Sequence, residues 1–314
     1  RLWAHKTYEA HPLLQWIYAI GGAFALQNSA LHWSADHRVH HRHVDNNDKD
    51  PYSAGRGFWY SHIGWMLRDY PGVEKPDYNN ARDLQKNPIV MWQHRNYLWL
   101  TVLTNFGIPL LLGLFTGNVL GMLLSAGVLR LVLSHHFTFF INSLAHIWGK
   151  QPYTDQNSAR DNGLLALLTY GEGYHNFHHI FESDYRNGIK WYQFDPTKWF
   201  IKAASWLGLT SNLRTVPEER IEQAKAKMQL LRAREQVKLR PNAEQLLQLL
   251  EHEYEILSAR MQDYYQLKKQ ILLQRKEQLM AQYQAVDFKH RYLEFKQHLQ
   301  QQQQHWQRLV TAFS

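Results

Sequence analysis

Two apolar segments joined by a short turn constrain the fold of this chain more than any other feature. Residues 97–114, YLWLTVLTNFGIPLLLGL, carry no charge, and a helix needs roughly 17–25 apolar residues to cross a bilayer. A turn at residues 116–118 leads into a second apolar run over residues 119–140, which is interrupted by Arg130. We therefore predict a membrane-spanning helical hairpin, with Arg130 facing the protein interior or water because a cation is costly in lipid. The alternative is a buried helical hairpin in a soluble protein.

Histidines recur at helical spacing in two short segments. Residues i, i+3 and i+4 of an α-helix lie on one face, so HRVHH at 37–41 and HNFHH at 175–179 each present three imidazoles together. With His5 and His146, which lie outside the two triplets, the chain offers eight candidate imidazoles. A zinc ion takes four ligands in a structural site and usually three protein ligands in a catalytic one, so eight imidazoles are better explained by two metal ions. Imidazole suits zinc, copper, iron and nickel alike. The candidate metal ligands are His5, His37, His40, His41, His146, His175, His178 and His179.

The composition separates the chain into two unlike parts. It has 314 residues, a net charge of +8 and no cysteine, which excludes disulfides, thiolate metal ligands and a cysteine nucleophile. The apolar runs lie within residues 1–212, whereas the residues from 217 onward are almost wholly polar. We predict an all-α protein with a membrane domain over residues 1–212 and a charged helical extension over residues 213–314. No nucleic-acid partner is predicted.

The hairpin places both histidine triplets on one side of the bilayer, where they can converge. Residues 13–31 are also apolar but contain two adjacent glycines, and they are predicted as an interfacial or re-entrant helix rather than a third span. Basic residues on the flanks of the hairpin indicate that the histidines and the tail are cytoplasmic. Those basic residues are Arg82, Lys86, Arg95, Lys150 and Arg160.

The tail is predicted to form two helices. The first covers residues 217–239, begins at Pro217 and is broken at Arg240-Pro241. The second covers residues 242–308, and its apolar side chains recur at alternating three and four residues, which is typical of a helical hairpin or short coiled coil. That stripe consists of Leu247, Leu250, Tyr254, Leu257, Met261 and Tyr264. Self-association or donor docking through residues 242–308 is one interpretation, and a solvated extension without function is the other.

Several longer strings carry a family resemblance. RLWAH, HRVHH, DPYSAGRGFWYSHIGW, NSLAH, GEGYHNFHH and YRNGIKWYQFDPTKW follow one another over residues 1–212. A single His-x-x-His-His string is weak evidence, because membrane hydroxylases and alkane monooxygenases use similar ones. In this order and with these flanks, the strings resemble the acyl-CoA delta-9 desaturases of the stearoyl-CoA desaturase family.

The resemblance implies a histidine-rich cytoplasmic cap on four transmembrane helices, with two iron ions (Fe2+) that activate dioxygen. It implies His5, both triplets and His146 as ligands, with Asn142 reaching a metal through water and no catalytic side chain beyond the ligands. Iron suits this chemistry because zinc has no redox activity with which to remove hydrogen from an unactivated methylene. The implied reaction uses O2 and two electrons to insert a cis double bond into a saturated acyl chain. Because the sequence has no flavin, haem or iron–sulfur site, a separate electron-donor protein is expected.

The chain departs from the family at its start. The family's first histidine string reads His-x-x-x-x-His, and the sequence opens on Arg1, one residue after the position of the leading histidine. The first two membrane helices of the family are also missing. We interpret the sequence as a fragment, the alternative being a defective protein.

The same resemblance suggests residues around the metal and the substrate. Metal-bound imidazoles usually donate their second N–H to a carboxylate or carbonyl, for which the candidates close to the strings in sequence are Asp36, Asp161, Glu172 and Asp184; each is otherwise an ordinary cap or surface charge. At the bend of the family's acyl tunnel stand a glutamine, a tryptophan and a threonine, which match Gln27, Trp33 and Thr138; otherwise these are packing residues. The residues matched to recognition of the CoA head are Asn28, Asp36 and Arg68.

The acyl carrier and the reaction type each keep alternatives. Ala35 replaces a family arginine and Asp69 a family lysine, which should weaken binding of the CoA phosphates because such contacts are charge-assisted. An acyl-CoA is expected, with phospholipid or carrier-protein esters as alternatives. The rival functions are a membrane fatty acid hydroxylase or alkane monooxygenase with the same histidines, and a non-catalytic membrane protein that assembles through its tail.

Overall fold

The structure is a computed structural model and describes residues 1–67, 77–277 and 282–313. These residues are mainly α-helical and include one two-stranded antiparallel sheet, in which β1 Glu9–Ala10 pairs with β2 Thr210–Ser211. The α-helices are α1 Pro12–Ala23, α2 Ala30–His43, α3 Trp65–Leu67, α4 Arg82–Gln85, α5 Pro88–Arg95, α6 Tyr97–Val102, α7 Ile108–Thr116, α8 Val119–Met122, α9 Arg130–Asn142, α10 Leu144–Ile147, α11 Gly163–Leu168, α12 His175–Ile180, α13 Pro196–Trp206, α14 Glu218–Val237, α15 Ala243–Glu277 and α16 Gln282–Phe313.

The chain divides into two compact units. The first comprises Arg1–Gln151 and Asp155–Thr215, and the second comprises Pro152–Thr154 and Val216–Ser314. All of the predicted metal ligands lie in the first unit.

The predicted hairpin is present in the first unit. A π-helical turn, Leu103–Gly107, joins α6 to α7, and another, Leu123–Leu129, joins α8 to α9. By length and composition, the continuous helices Tyr97–Thr116 and Val119–Ile147 could each cross a membrane. In the most apolar 18-residue stretch of the second helix, only 6% of the residues are buried. This low burial argues against the alternative of a buried hairpin in a soluble protein.

The turn between the two helices lies where the sequence predicts it. Gly117 has a φ of 71° and ends α7, and the Asn118 side chain accepts a hydrogen bond from Gly121 N to begin α8. A Cβ on Gly113 would lie 2.6 Å from Val119 Cα. Glycine at 113 therefore allows the two helices to approach each other directly beside the turn.

Arg130 points into the protein, as expected for a cation in an apolar helix. Its Nη2 donates to Asn105 Oδ1 (2.5 Å) and its Nη1 to the carbonyl oxygen of Phe24 (2.9 Å). The Asn105 amide in turn donates to the carbonyl oxygen of Ala23 (3.1 Å). Two polar side chains of the hairpin therefore bind the end of α1.

The single helix predicted for residues 13–31 is wrong. α1 ends at Ala23 and α2 begins at Ala30, and between them Leu26 and Asn28 have positive φ values of 49° and 69°. A new helix begins here because Ser29 Oγ accepts a hydrogen bond from His32 N. The break matters for the site, because the histidines of the first triplet lie on α2, a helix separate from α1.

The tail of the chain is also organised differently from the prediction. The helix predicted for residues 242–308 is two helices, α15 and α16, and both pack with α14. Tyr264 Oη lies 3.0 Å from Tyr292 Oη, and Gln302 donates to Glu253 (2.8 Å), so α15 and α16 run antiparallel. The second unit is therefore a three-helix bundle rather than a helical hairpin or coiled coil.

The apolar stripe predicted in α15 forms the core of this bundle. Leu250 and Leu257 are buried together with Ala233 and Val237 of α14 and Trp306 of α16. Because the stripe is covered within the chain, it is not an open surface for self-association. Beyond this stripe, Leu272 of α15 is 58% exposed.

Candidate metal centre

Four segments of the first unit bring the predicted histidines together. α2 carries His37, His40 and His41, α12 carries His175, His178 and His179, the N-terminal segment supplies His5, and α10 supplies His146. The first turn of α12 is held by Asp161, whose Oδ1 accepts a hydrogen bond from Phe177 N (3.0 Å). Each triplet occupies one face of its helix, as the i, i+3, i+4 spacing predicts.

The eight imidazoles form two groups of four. In each group one ring nitrogen per residue lies within 4.8 Å of all the others, so that each group could hold a metal ion. We call His5, His37, His41 and His178 the first histidine group, and His40, His146, His175 and His179 the second histidine group.

The nitrogens that face one another within the groups are Nε2 atoms. His5 Nε2 lies 2.8 Å from His37 Nε2, and His41 Nε2 lies 3.1 Å from His178 Nε2. In the second group, His175 Nε2 lies 3.1 Å from His146 Nε2 and 3.0 Å from His179 Nε2. Four ring nitrogens at such spacing cannot all be satisfied by donating to one another, whereas a cation can accept a lone pair from each.

Burial keeps these rings in the form that binds metal. It lowers the pKa of His5 to about 3. It is also the largest cause of the low pKa values of His37, His41, His175, His178 and His179. The positive charge that each neighbouring imidazole would carry lowers these pKa values further. Neutral imidazoles with convergent lone pairs suit a divalent transition metal, and the donor set of both groups therefore fits the metal that the sequence predicts.

Two of the outer ring nitrogens have hydrogen-bond partners that the sequence analysis missed, whereas Nδ1 of His41, His175 and His179 has none among the described residues. His40 Nδ1 lies 2.9 Å from the fully buried Asp50, and His146 Nδ1 lies 2.8 Å from Ser158 Oγ, which donates to Asp45. Glu182 Oε2 lies 3.2 Å from His41 Nδ1 and 3.4 Å from His5 Nδ1. Asp45 and Asp50 follow α2 closely, and Glu182 follows α12. A search of the loops after the histidine helices would have found all three carboxylates.

The four carboxylates predicted beside the histidines make other contacts. Asp36 lies 3.3 Å from His32, Glu172 pairs with Arg1 (3.1 Å), and Asp184 pairs with Arg186 (2.8 Å). Asp161 holds the start of α12 as described above. Asp36 lies on α2 next to His37 and projects to another face of the helix, whereas the other three lie in loops, where closeness in sequence does not fix the direction of a side chain.

A cavity of about 250 Å³ lies against both histidine groups. It reaches His37 and His178 of the first group and His40 and His175 of the second. The predicted water-mediated ligand Asn142 lies on its wall, together with the apolar side chains of Trp65, Phe139 and Ile141. The predicted substrate residues on the same wall are Gln27, Asn28, Trp33, Asp36 and Thr138. Arg68 lies outside the described residues.

A second cavity of about 620 Å³ shares part of this wall. The shared residues are Arg1, Gln27, Asn28, Trp33 and Glu172. The indole of Trp33 stacks on the imidazole of His37, with 4.5 Å between the ring centroids. An elongated apolar molecule could therefore extend from the larger cavity to the metal centre.

The remaining histidines of the first unit lie outside both groups. His62 Nε2 pairs with His136 Nδ1 (2.9 Å), and His135 Nε2 lies 2.7 Å from the carbonyl oxygen of Ala25. His94 Nδ1 lies 2.6 Å from Ser29 Oγ. The helical spacing therefore identified six of the eight clustered imidazoles, and His5 and His146 join them from other segments.

Known proteins resemble the chain over the same region. The family model for fatty acid desaturases matches residues 1–206. A probable acyl-CoA desaturase of Schizosaccharomyces pombe is 48% identical over 225 residues, which are 71% of this chain and 46% of the relative. Acyl-CoA desaturase 1 of Saccharomyces cerevisiae is 46% identical over 71% of this chain and 44% of its own length. Stearoyl-CoA desaturase 5 of Bos taurus is 37% identical over 72% of this chain and 69% of its own length.

The alignments span less than half the length of the two yeast relatives. Further relatives are named for other products: an acyl-CoA Delta(11) desaturase of Spodoptera littoralis, an acyl-CoA Delta12-desaturase of Acheta domesticus and an sn-2 palmitoyl-lipid 9-desaturase of a Nostoc strain. The family match covers both histidine groups and the adjoining cavity, and the predicted resemblance is confirmed: the chain belongs to the fatty acid desaturase family.

Proposed function

We propose that the chain is the catalytic part of an integral-membrane di-iron desaturase, which inserts a cis double bond at the delta-9 position of a saturated acyl-CoA. The observation that carries this proposal is the pair of four-imidazole groups beside one largely apolar cavity. The first histidine group would hold one iron and the second histidine group the other, with Asn142 bonded through water. Bound iron would supply the redox chemistry that activates dioxygen, which a zinc ion cannot supply.

The chain's own residues bind and orient the substrate. Trp65, Phe139 and Ile141 offer apolar surface to the methylenes and exclude water from the metal centre. Gln27, Trp33 and Thr138 are proposed to fix the bend of the acyl chain, which would determine the carbon atoms presented to the metals. Electrons would come from a separate protein, and O2 is the co-substrate.

The delta-9 position and the CoA carrier are the finer parts of the proposal. Support for the position comes from the match of Gln27, Trp33 and Thr138 to the delta-9 family's tunnel, while the named products of relatives also include other positions. Support for acyl-CoA comes from the relatives' names and from Asn28 and Asp36 on the cavity wall. Lipid esters are the competing carrier, as in one relative's name.

Product analysis tests this proposal. Desaturase-deficient cells that express the whole protein are supplied with saturated fatty acids of several lengths, and their lipids are analysed by mass spectrometry with localisation of the double bond. We expect delta-9 monounsaturated chains, and none from a His178→Ala variant. Alcohols in place of alkenes would reject desaturation in favour of hydroxylation. Alkenes at another position would reject the delta-9 assignment alone.

We also propose that residues 1–212 form the membrane domain, that residues 213–314 form a separate extension, and that the histidines face the cytoplasm. Support comes from the two apolar helices and from the basic flanks of the hairpin. Since the chain has no cysteine, single cysteines introduced at Asp48 and at Thr116 can be labelled with an impermeant maleimide. We expect Cys at position 48 to react only when the cytoplasmic face is open, and the reverse pattern would overturn the orientation.

A further inference from the structure

Glu182 contacts the first histidine group from outside. Its Oε2 lies 3.2 Å from His41 Nδ1 and 3.4 Å from His5 Nδ1. These two rings come from segments 36 residues apart, the N-terminal segment and α2, while Glu182 follows the end of α12. One carboxylate oxygen thus connects three separate parts of the chain at the rear of one metal group.

The contact lies at the protein surface. The Glu182 side chain is 54% exposed, whereas the side chains of His5 and His41 are 3% and 5% exposed. All three line a cleft of about 440 Å³ together with Lys6, Arg38 and Arg42. Lys6 and Arg38 are both paired with Asp83, at 3.1 Å and 2.7 Å. These two cations therefore have a carboxylate partner of their own. Glu182 lies within ion-pair distance of the His5 and His41 rings, without a hydrogen bond to His41 Nδ1.

The second histidine group is supported differently. His40 Nδ1 is held by Asp50, which is fully buried and also accepts hydrogen bonds from Asp45 N (3.0 Å) and Tyr52 N (3.2 Å). This carboxylate is fixed by the protein interior. The carboxylate behind the first group has no such backbone donors among the residues that the structure describes, and it faces solvent.

We propose that Glu182 is the positioning residue of the first histidine group and that this group holds the exchangeable one of the two ions. A carboxylate beside Nδ1 stabilises the tautomer that carries its proton on that nitrogen, and this tautomer directs the Nε2 lone pair towards the metal. When Glu182 is displaced into solvent, His5 and His41 lose that orientation together and their ion can leave through the cleft. This inference rests on the metal centre of the proposed function.

Iron content and iron release test the role of Glu182. The full chain is purified, loaded anaerobically with Fe2+ and analysed for iron per chain, and release to the chelator ferrozine is followed over time. We expect two irons per chain and two release phases for the parent. Loss of an outer partner costs about 10–100-fold in metal affinity, so Glu182→Ala should retain one iron at a free Fe2+ concentration that saturates the parent. Glu182→Asp should retain more than Glu182→Ala.

Two histidine variants assign the lost ion to a group. His37→Ala empties the first group and His175→Ala the second. Adding Glu182→Ala to His37→Ala should change neither iron content nor release, whereas adding it to His175→Ala should remove the remaining iron. The matched control is Glu9→Gln, which changes an exposed glutamate in β1, far from Glu182 in the sequence. This variant should have the same iron content and release as the parent.

The results distinguish a failure of the proposed role of Glu182 from a failure of the proposed metal centre. A Glu182→Ala chain that keeps two irons and the parent's fast release phase would overturn the inference, as would equal loss of iron from both groups. A parent chain that binds fewer than two irons would instead reject the proposed metal centre. Circular dichroism checks that each variant is folded, and Glu182→Gln, which keeps the size of the side chain, replaces any variant that is not.

Discussion

At the scale of single residues, the buried imidazoles lead to a direct prediction for His40. Its Nε2 belongs to the second histidine group and its Nδ1 to the contact with Asp50. Replacing His40 with Ala should reduce the iron content by one ion and abolish unsaturated product. His43→Ala changes an imidazole on the same helix but outside both groups, and it should retain both iron and activity. Full activity of His40→Ala, measured by fatty-acid analysis, would reject the assignment of this ligand.

Asp50 should be as important as a ligand although it touches no metal. It is fully buried, accepts two backbone N–H bonds and holds His40 Nδ1. Asp50→Asn should weaken iron binding by about 10–100-fold and lower the free energy of unfolding by about 1–3 kcal/mol because buried donors lose their ionised acceptor. Iron titration and chemical denaturation measure the two effects. Asp48→Asn, an exposed change in the same loop, is the control and should show neither effect.

The sequence predicted the metal ligands better than their outer partners, for a physical reason. The ligands of α2 and α12 obey a helical spacing that can be read along the chain, and all eight predicted histidines lie in the two groups. Asp50 and Glu182 instead reach the rings through loops, whose course depends on packing. Asp161, predicted to bond a histidine, holds the backbone of α12 instead.

At the scale of elements, Asp161 makes the stability of α12 depend on pH. Burial raises its pKa from 3.8 to about 7, against the opposing effect of its bond from Phe177 N. Between these two values the folded chain binds more protons than the unfolded chain, so the free energy of unfolding falls as the pH rises from about 4 to 7.

Asp161→Asn removes this dependence while keeping an oxygen that can accept from Phe177 N. Above pH 7 the variant should be more stable than the parent, by an amount on the order of 4 kcal/mol at most. Denaturation of the first unit measured from pH 4 to 8 tests this. Asp155→Asn changes an exposed residue in the same segment, and its free energy of unfolding should depend on pH in the same way as that of the parent. A constant difference between Asp161→Asn and the parent over that range would contradict the prediction.

The contact between α1 and the hairpin gives another prediction for elements. Arg130 and Asn105 together bind the carbonyl oxygens of Phe24 and Ala23 at the end of α1. Asn105→Leu leaves the guanidinium of Arg130 and one carbonyl short of a partner, and each unsatisfied buried group costs about 1–3 kcal/mol. The thermal midpoint in detergent should therefore fall, whereas Ser125→Ala, an exposed change within the hairpin, should leave it unchanged. An unaltered midpoint for Asn105→Leu would contradict this reading of the contact.

Element boundaries show where pattern reasoning ends. The turn of the hairpin was predicted because glycine and asparagine mark it directly. The end of α1 at Ala23 was missed because the apolar run continues beyond it. The division of the tail into α15 and α16 was missed because only tertiary packing distinguishes one long helix from two antiparallel ones. In the tail, the heptad stripe correctly identified buried residues, but their partners are α14 and α16 of the same chain.

At the scale of the whole molecule, we expect the two compact units to unfold independently. Trp306 is 1% exposed in the core of the second unit, and its Nε1 donates to Gln229 (2.6 Å). Trp306→Ala should destabilise the bundle by about 3–5 kcal/mol through the lost burial and the cavity that remains. Since the histidine groups and the two adjoining cavities lie in the first unit, the variant should still bind two irons and form unsaturated product.

Proteolysis distinguishes the units in one experiment. Limited digestion should cleave the Trp306→Ala chain within residues 216–313 while the histidine-bearing unit stays intact, and Leu239→Ala, which alters a side chain that is 88% exposed, should be cleaved like the parent. Removing the chain from Pro217 onward should likewise leave product formation unchanged. If Trp306→Ala instead released iron together with the unfolding of the bundle, the extension would be part of the catalytic unit, because the stability of the metal centre would then depend on a core that contains none of its ligands.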